Sequence, residues 1–67
     1  MIVKTKSKRV KLVKAREKEG LTQVEVANKA KISERYYQQV EAGTSSPTVD
    51  IAKLIAQALN STVEELF

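Results

Sequence analysis

The chain has 67 residues and a formal charge of +4, and it contains neither cysteine nor histidine. This length fits one domain, and the missing residue types exclude a disulfide framework, a thiolate metal site and the commonest general base. We expect no metal and no cofactor, and a single aspartate without a phosphate-binding glycine loop argues against an enzyme.

The positive charge is concentrated at the start of the chain. Residues 1–18 carry eight Lys and Arg side chains against one acidic residue, whereas residues 19–67 carry four against seven. We interpret residues 1–8 as a basic N-terminal arm and residues 9–67 as the folded domain. This asymmetry indicates a polyanionic partner, with a solvated basic tail as the alternative.

Apolar spacing and capping residues predict helices along the whole folded part. Residues 9–19 form the first helix, which stops at Gly20, a residue common just after helix ends. Residues 23–30 form the second helix, where Thr22 and Glu25 have the spacing of a capping box.

The third helix is predicted at residues 34–41, directly after a three-residue turn that contains the capping residue Ser33. Tyr37 and Val40 face inward, and the Tyr37 hydroxyl is expected to reach the surface. Two helices joined this closely, the second rich in polar side chains that read bases, are typical of a helix-turn-helix at residues 23–42.

Two further helices complete the prediction. Thr48 caps the fourth helix, in which five apolar residues recur on the core side: Val49, Ala52, Ile55, Ala56 and Leu59. Asn60 tolerates the left-handed conformation that ends helices. Thr62 and Glu65 form a second capping box for a short fifth helix. The predicted fold is therefore all-α, with five short helices.

No apolar run approaches the ~20 residues of a membrane-spanning helix, and no signal peptide is visible. We expect a cytoplasmic protein with no membrane contact and no small-molecule ligand.

Several segments together resemble the Cro/C1-type (Xre-like) helix-turn-helix domains of phage and bacterial repressors. They are residues 16–23, 26–27, 32–33 and 40–43, followed by Pro47, Ala56, Leu59 and residues 63–67. The resemblance implies a lambda-repressor-like fold whose third helix enters the DNA major groove while the second crosses the backbone. It also implies a bacterial or phage-encoded, nucleoid-associated protein. The chain departs from the family at Lys31, where the family often has glycine. A residue other than glycine in a left-handed turn costs about 1–2 kcal/mol of stability.

The resemblance places base contacts at the start and along the outer face of the third helix. Arg35 can bind guanine O6 and N7 together, and Gln39, one turn later, suits adenine N6 and N7. Ser33 lies at the helix start, and Glu34 either accepts from cytosine or only complements the helix dipole. We expect five contacts to the DNA backbone: Gln23, Lys31, Tyr36, Thr44 and Ser45. Lys4, Lys6, Lys8 and Arg9 are expected to follow the backbone or enter a minor groove.

Two further sets have structural roles. By family resemblance, Arg16 and Glu41 form a partly buried ion pair that fixes the third helix. A second apolar stripe on the fourth helix, together with the chain end, predicts a homodimer interface made by Ile51, Leu54, Ala58, Leu66 and Phe67.

The leading hypothesis is a sequence-specific transcriptional regulator, in particular a repressor that binds a pseudo-palindromic operator as a dimer. One alternative is the antitoxin of a toxin–antitoxin pair, for which no separate toxin-binding extension is visible. The other is a protein-interaction module that has lost DNA binding, which the outward Glu34 favours and Arg35 and Gln39 oppose.

Overall fold

The chain forms five α-helices and no strand in residues 9–67, which are the residues described by the computed structural model. The helices are α1 (Val10–Lys18), α2 (Gln23–Ala30), α3 (Glu34–Ala42), α4 (Val49–Ala58) and α5 (Val63–Leu66). The predicted all-α, five-helix fold is confirmed, and the ends of α1 and α3 differ from the prediction by one residue. The basic arm at residues 1–8 lies outside the described residues.

Helices α2 to α5 each begin after a Ser or Thr whose hydroxyl accepts a backbone N–H. These residues are Thr22, Ser33, Thr48 and Thr62. The predicted capping box of α2 is complete, because Thr22 Oγ1 accepts from Glu25 N at 3.1 Å and Glu25 Oε1 accepts from Thr22 N at 2.8 Å. At α5 only the first of these two bonds forms, since Glu65 Oε1 accepts from Ser61 Oγ at 2.8 Å instead.

The core lies where α2 packs against both α3 and α4, and α5 closes it by packing on α1 and α4. The buried apolar residues are Leu12, Val26, Ala27, Ala30, Tyr37, Val40, Ile55, Ala56, Leu59 and Leu66. Ala27 and Ala30 keep the α2 surface small, which lets the neighbouring helices approach closely. No helix in residues 9–67 is long and apolar enough to cross a membrane.

Three predictions of exposure are wrong. Val49 is 68% exposed, because it occupies the first position of α4, before the turn that packs on the core. Leu66 is only 3% exposed and belongs to the core, which it reaches because α5 folds back onto α1 and α4. The Tyr37 hydroxyl is buried beneath the surface, without a hydrogen-bond partner in residues 9–67.

The turn between α2 and α3 is left-handed at Lys31, which has φ +61° and ψ +41°. Two backbone hydrogen bonds close the end of α2: Lys31 N donates to Asn28 O at 3.2 Å, and Ile32 N donates to Ala27 O at 2.9 Å. This tight turn sets α3 directly after α2 and determines which side of α3 faces outward.

Candidate DNA-binding surface

The outer side of α3 and the loop that follows it form one continuous polar surface, which we call the recognition surface. It comprises Ser33, Glu34, Arg35, Gln38, Gln39, Thr44 and Ser45. Arg35, Gln39 and Thr44 line the same shallow depression. The structure therefore brings two of the predicted base contacts together with one predicted backbone contact.

The side chains at the start of α3 differ in how many hydrogen bonds they already make within the protein. Ser33 Oγ accepts from Tyr36 N at 3.0 Å as the cap, which leaves its hydroxyl proton free to donate. Glu34 Oε2 accepts from Gln38 Nε2 at 3.2 Å, one turn along the helix. The exposed Arg35 guanidinium makes no hydrogen bond and no ion pair within residues 9–67.

Gln39 is half-buried and is joined to the loop after α3. Its side-chain Oε1 accepts from Ser45 Oγ at 3.3 Å. Its backbone carbonyl accepts from Thr44 Oγ1 at 3.2 Å. Thr44 and Ser45 therefore lie beside Gln39, whereas the sequence had placed them only in a polar loop after the helix.

The other residues predicted to contact the DNA backbone differ in their exposure to solvent. Lys31 is exposed at the turn, whereas Tyr36 is half-buried and packs against the core. Gln23, the first residue of α2, is also half-buried, and its Nε2 donates to Glu41 Oε1 at 2.9 Å. One amide hydrogen and the carbonyl oxygen of Gln23 remain available for a phosphate.

Arg16 of α1 and Glu41 of α3 form an ion pair beneath this surface. Arg16 Nε donates to Glu41 Oε2 at 2.5 Å, and Arg16 Nη1 donates to the Leu21 carbonyl at 3.0 Å. Burial acts to raise the pKa of Glu41, but hydrogen bonds from Arg16 and Gln23 outweigh it and hold that pKa below its usual value of 4.5. The hydrogen bond between Arg16 and Glu41 also raises the pKa of Arg16.

Arg9, which the sequence groups with the basic arm, makes two contacts within the folded domain. Its Nη2 donates to the Ser45 carbonyl at 3.0 Å, and its guanidinium carbon lies 5.4 Å from the centre of the Phe67 ring. These two contacts hold the guanidinium against the folded domain, so Arg9 supports the loop after α3.

The residues predicted for a dimer interface are divided between the surface and the core. Leu54 is 37% and Phe67 is 41% exposed, but Leu66 is wrong as an interface residue because its side chain is buried. Ile51 and Ala58 are half-buried against the core. Val49, which the sequence analysis assigns to the core side of α4, lines an apolar groove with Phe67.

Comparison with known proteins places this geometry in a family. The helix-turn-helix family model HTH_3 matches residues 12–66, most of the chain. The uncharacterized HTH-type transcriptional regulator YqaF of Bacillus subtilis (strain 168) is 44% identical over 48 residues. The aligned segment covers 72% of this chain and 63% of YqaF.

Solved structures show the same fold. The restriction-modification controller protein C.AhdI of Aeromonas hydrophila superposes with a TM-score of 0.83 and 27% identity over 88% of this chain and 89% of its own. The clp gene regulator ClgR of Corynebacterium glutamicum has a TM-score of 0.78 and 22% identity, over 87% of this chain and 75% of its own. The chain therefore belongs to the Cro/C1-type helix-turn-helix family.

Proposed function

We propose that the chain is a transcription regulator that binds double-stranded DNA in a sequence-specific manner, with α3 in the major groove. The observation that supports this most directly is the pairing of Arg35 and Gln39 in one depression of the recognition surface. Guanidinium and amide groups are the side chains that recognise guanine and adenine edges in the major groove.

Base and backbone contacts divide as follows in this proposal. Arg35 donates to guanine O6 and N7, and Gln39 pairs with adenine N6 and N7, while Ser33 and Glu34 meet base edges at the start of α3. The backbone contacts are Gln23, Lys31, Tyr36, Thr44 and Ser45. The basic arm at residues 1–8 adds charge that follows the phosphates or enters the minor groove.

In vitro selection of binding sites tests the proposal, followed by affinity measurements on the selected site. Arg35→Ala should relax the preference at one base pair by about 5- to 150-fold, the discrimination that a bidentate contact gives. Lys53→Ala is the matched control, since it removes one exposed positive charge from α4. The proposal fails if wild type selects no sequence, or if both variants reduce binding equally at every site.

Salt dependence separates DNA binding from a protein-interaction module of the same fold. Contacts to several phosphates release counterions, so the logarithm of the binding constant should fall linearly with the logarithm of salt concentration, by about 0.9 per phosphate neutralised. A slope near zero would favour the protein-interaction module.

We propose that the active form is a homodimer that represses by occupying a pseudo-palindromic operator in the bacterial cytoplasm, at the nucleoid. Exposed Leu54 and Phe67 supply apolar surface for a twofold contact, to which Val49 adds. Dimeric helix-turn-helix proteins bind half-sites about 34 Å apart. In sedimentation, Leu54→Lys should yield monomers, whereas Gln57→Lys, an equal charge change on the same helix, should not. A monomeric wild type, both free and on selected DNA, would refute the dimer.

A further inference from the structure

The loop after α3 returns along the helix and attaches to the turn that contains Gln39. Gly43 ends α3 with φ +82°, a left-handed value that reverses the chain. The Gln39 carbonyl then accepts from Thr44 N at 3.0 Å and from Ser45 N at 3.3 Å. Backbone bonds thus place Ser45 beside the side chain of Gln39, six residues earlier in the sequence.

The Ser45 hydroxyl engages the Gln39 amide itself, because Ser45 Oγ donates to Gln39 Oε1 at 3.3 Å. An amide oxygen has two lone pairs and its nitrogen has two hydrogens. Ser45 therefore uses one lone pair and leaves the second lone pair and the Nε2 group for a base edge. The terminal torsion of a free glutamine is broad, so this bond fixes which end of the Gln39 amide lies where.

Ser45 is itself held in place. Arg9 Nη2 donates to the Ser45 carbonyl at 3.0 Å, and the Arg9 guanidinium rests on the Phe67 ring. Arg9 N also donates to the Glu41 carbonyl at 2.9 Å. The loop is therefore anchored through the Ser45 carbonyl, by groups other than the Gln39 side chain, and Ser45 can direct the amide rather than follow it.

We propose that Ser45 is a positioning residue for Gln39 and that, through the Gln39 amide, it sets the base preference at the base pair that Gln39 reads. The inference rests on the proposed DNA-binding function. It goes beyond the phosphate contact proposed for Ser45, which would strengthen binding to every sequence to the same extent.

A set of single and double variants tests the positioning role. Gln39→Ala first identifies the base pair that Gln39 reads, as the position where the preference found by in vitro selection is lost. Affinities are then measured for four duplexes that differ only at that base pair, and for random duplex DNA. Ser45→Ala should reduce the preference at that pair by about 3- to 10-fold, the range of one neutral hydrogen bond. Loss of the phosphate contact proposed for Ser45 would lower the affinity for all four duplexes and for random DNA by one common factor, so the ratios among the four duplexes report the positioning role.

Two further variants distinguish positioning from other roles. Ser45→Thr keeps the hydroxyl and should keep the preference. The double variant Gln39→Ala with Ser45→Ala should be no less selective than Gln39→Ala alone, because Ser45 acts only through the amide.

Three results would overturn the inference. An equal loss of affinity for all four duplexes on Ser45→Ala would mean that Ser45 contacts only a phosphate, and additive losses of selectivity in the double variant would mean that Ser45 reads a base directly. A preference unchanged by Ser45→Ala would mean that the hydroxyl does not direct Gln39. In each case a selective wild type leaves the proposed function intact, whereas a wild type without any preference refutes both.

Discussion

Replacement of Lys31 by glycine should stabilise the protein, because Lys31 has the backbone conformation that glycine adopts most easily. Its φ is +61°, and its side chain makes no hydrogen bond or ion pair within residues 9–67. The left-handed conformation costs a residue with a Cβ about 1–2 kcal/mol. Glycine removes that cost, but it also raises the conformational entropy of the unfolded chain, which lowers the free energy of unfolding by about 0.4–1 kcal/mol.

The net gain expected for Lys31→Gly is about 1 kcal/mol, which corresponds to a rise in Tm of about 4–8 °C in a domain of this size. Chemical and thermal unfolding followed by circular dichroism measure both quantities. Lys31→Ala is the matched control, since it removes the same charge and keeps the Cβ. The reasoning is refuted if Lys31→Gly is no more stable than Lys31→Ala.

The same two variants report on DNA binding. Both remove the ammonium group, so both should lower the slope of the salt dependence by about 0.9 if Lys31 contacts a phosphate. A stability gain specific to glycine, together with an equal loss of DNA affinity in both variants, would assign the backbone and the side chain separate roles. Unequal losses of affinity would instead mean that the turn geometry itself contributes to binding.

Three further predictions concern the packing beneath the recognition surface. Arg16→Met or Glu41→Met alone should each lower the free energy of unfolding by about 3–5 kcal/mol, because each leaves one buried charge unpaired, whereas the double variant should lose far less. Urea unfolding of the wild type, the two single variants and the double variant measures the coupling. Additive losses would contradict the predicted ion pair. The lowered Glu41 pKa stabilises the fold above the usual value of 4.5 and loses that effect as pH falls through the folded-state pKa. Wild type should therefore lose more unfolding free energy than the double Met variant between neutral and acidic pH, and parallel profiles would count against this. Leu12→Ala should cost about 2–5 kcal/mol, since Leu12 is fully buried, and a smaller loss would mean that the core closes around the cavity.

Local signals made the fold predictable. Thr22, Ser33 and Thr48 each begin a helix where the sequence places one, since a capping hydroxyl needs only the N–H three residues later. Gly20 and Asn60 follow the ends of α1 and α4 with positive φ, which their residue types alone make predictable. Chain geometry over a few residues decides such features, and no tertiary contact is needed to read them.

The errors arose where a distant or competing group decides the outcome. Glu65 has the spacing of a capping box, but the neighbouring Ser61 hydroxyl takes its carboxylate. Leu66 lies beside Phe67 at the chain end, yet only the packing of α5 on α1 and α4 determines that one is buried and the other exposed. The bond between Ser45 and Gln39 depends on how the loop returns along α3, which no local pattern in the sequence encodes.

Glu41 shows how the predicted roles are connected in three dimensions. The sequence assigned Gln23 to a phosphate and Glu41 to an ion pair with Arg16, as separate features. In the structure Glu41 Oε1 accepts from Gln23 Nε2 at 2.9 Å and from Arg16 Nη2 at 3.4 Å. One buried carboxylate on α3 thus holds the start of α2 and the last turn of α1.

The position of the Gln23 amide, which we propose binds a phosphate, is therefore set relative to α3 by the buried Glu41 carboxylate. Phosphate contacts fix the register of a protein on DNA without reading sequence. Loss of Glu41 should consequently weaken binding to all sequences alike, in addition to its effect on stability, while loss of Arg35 or Gln39 changes which sequence is preferred. In the proposed complex, general affinity therefore depends on Glu41 and sequence preference on Arg35 and Gln39, all three on the same helix, α3.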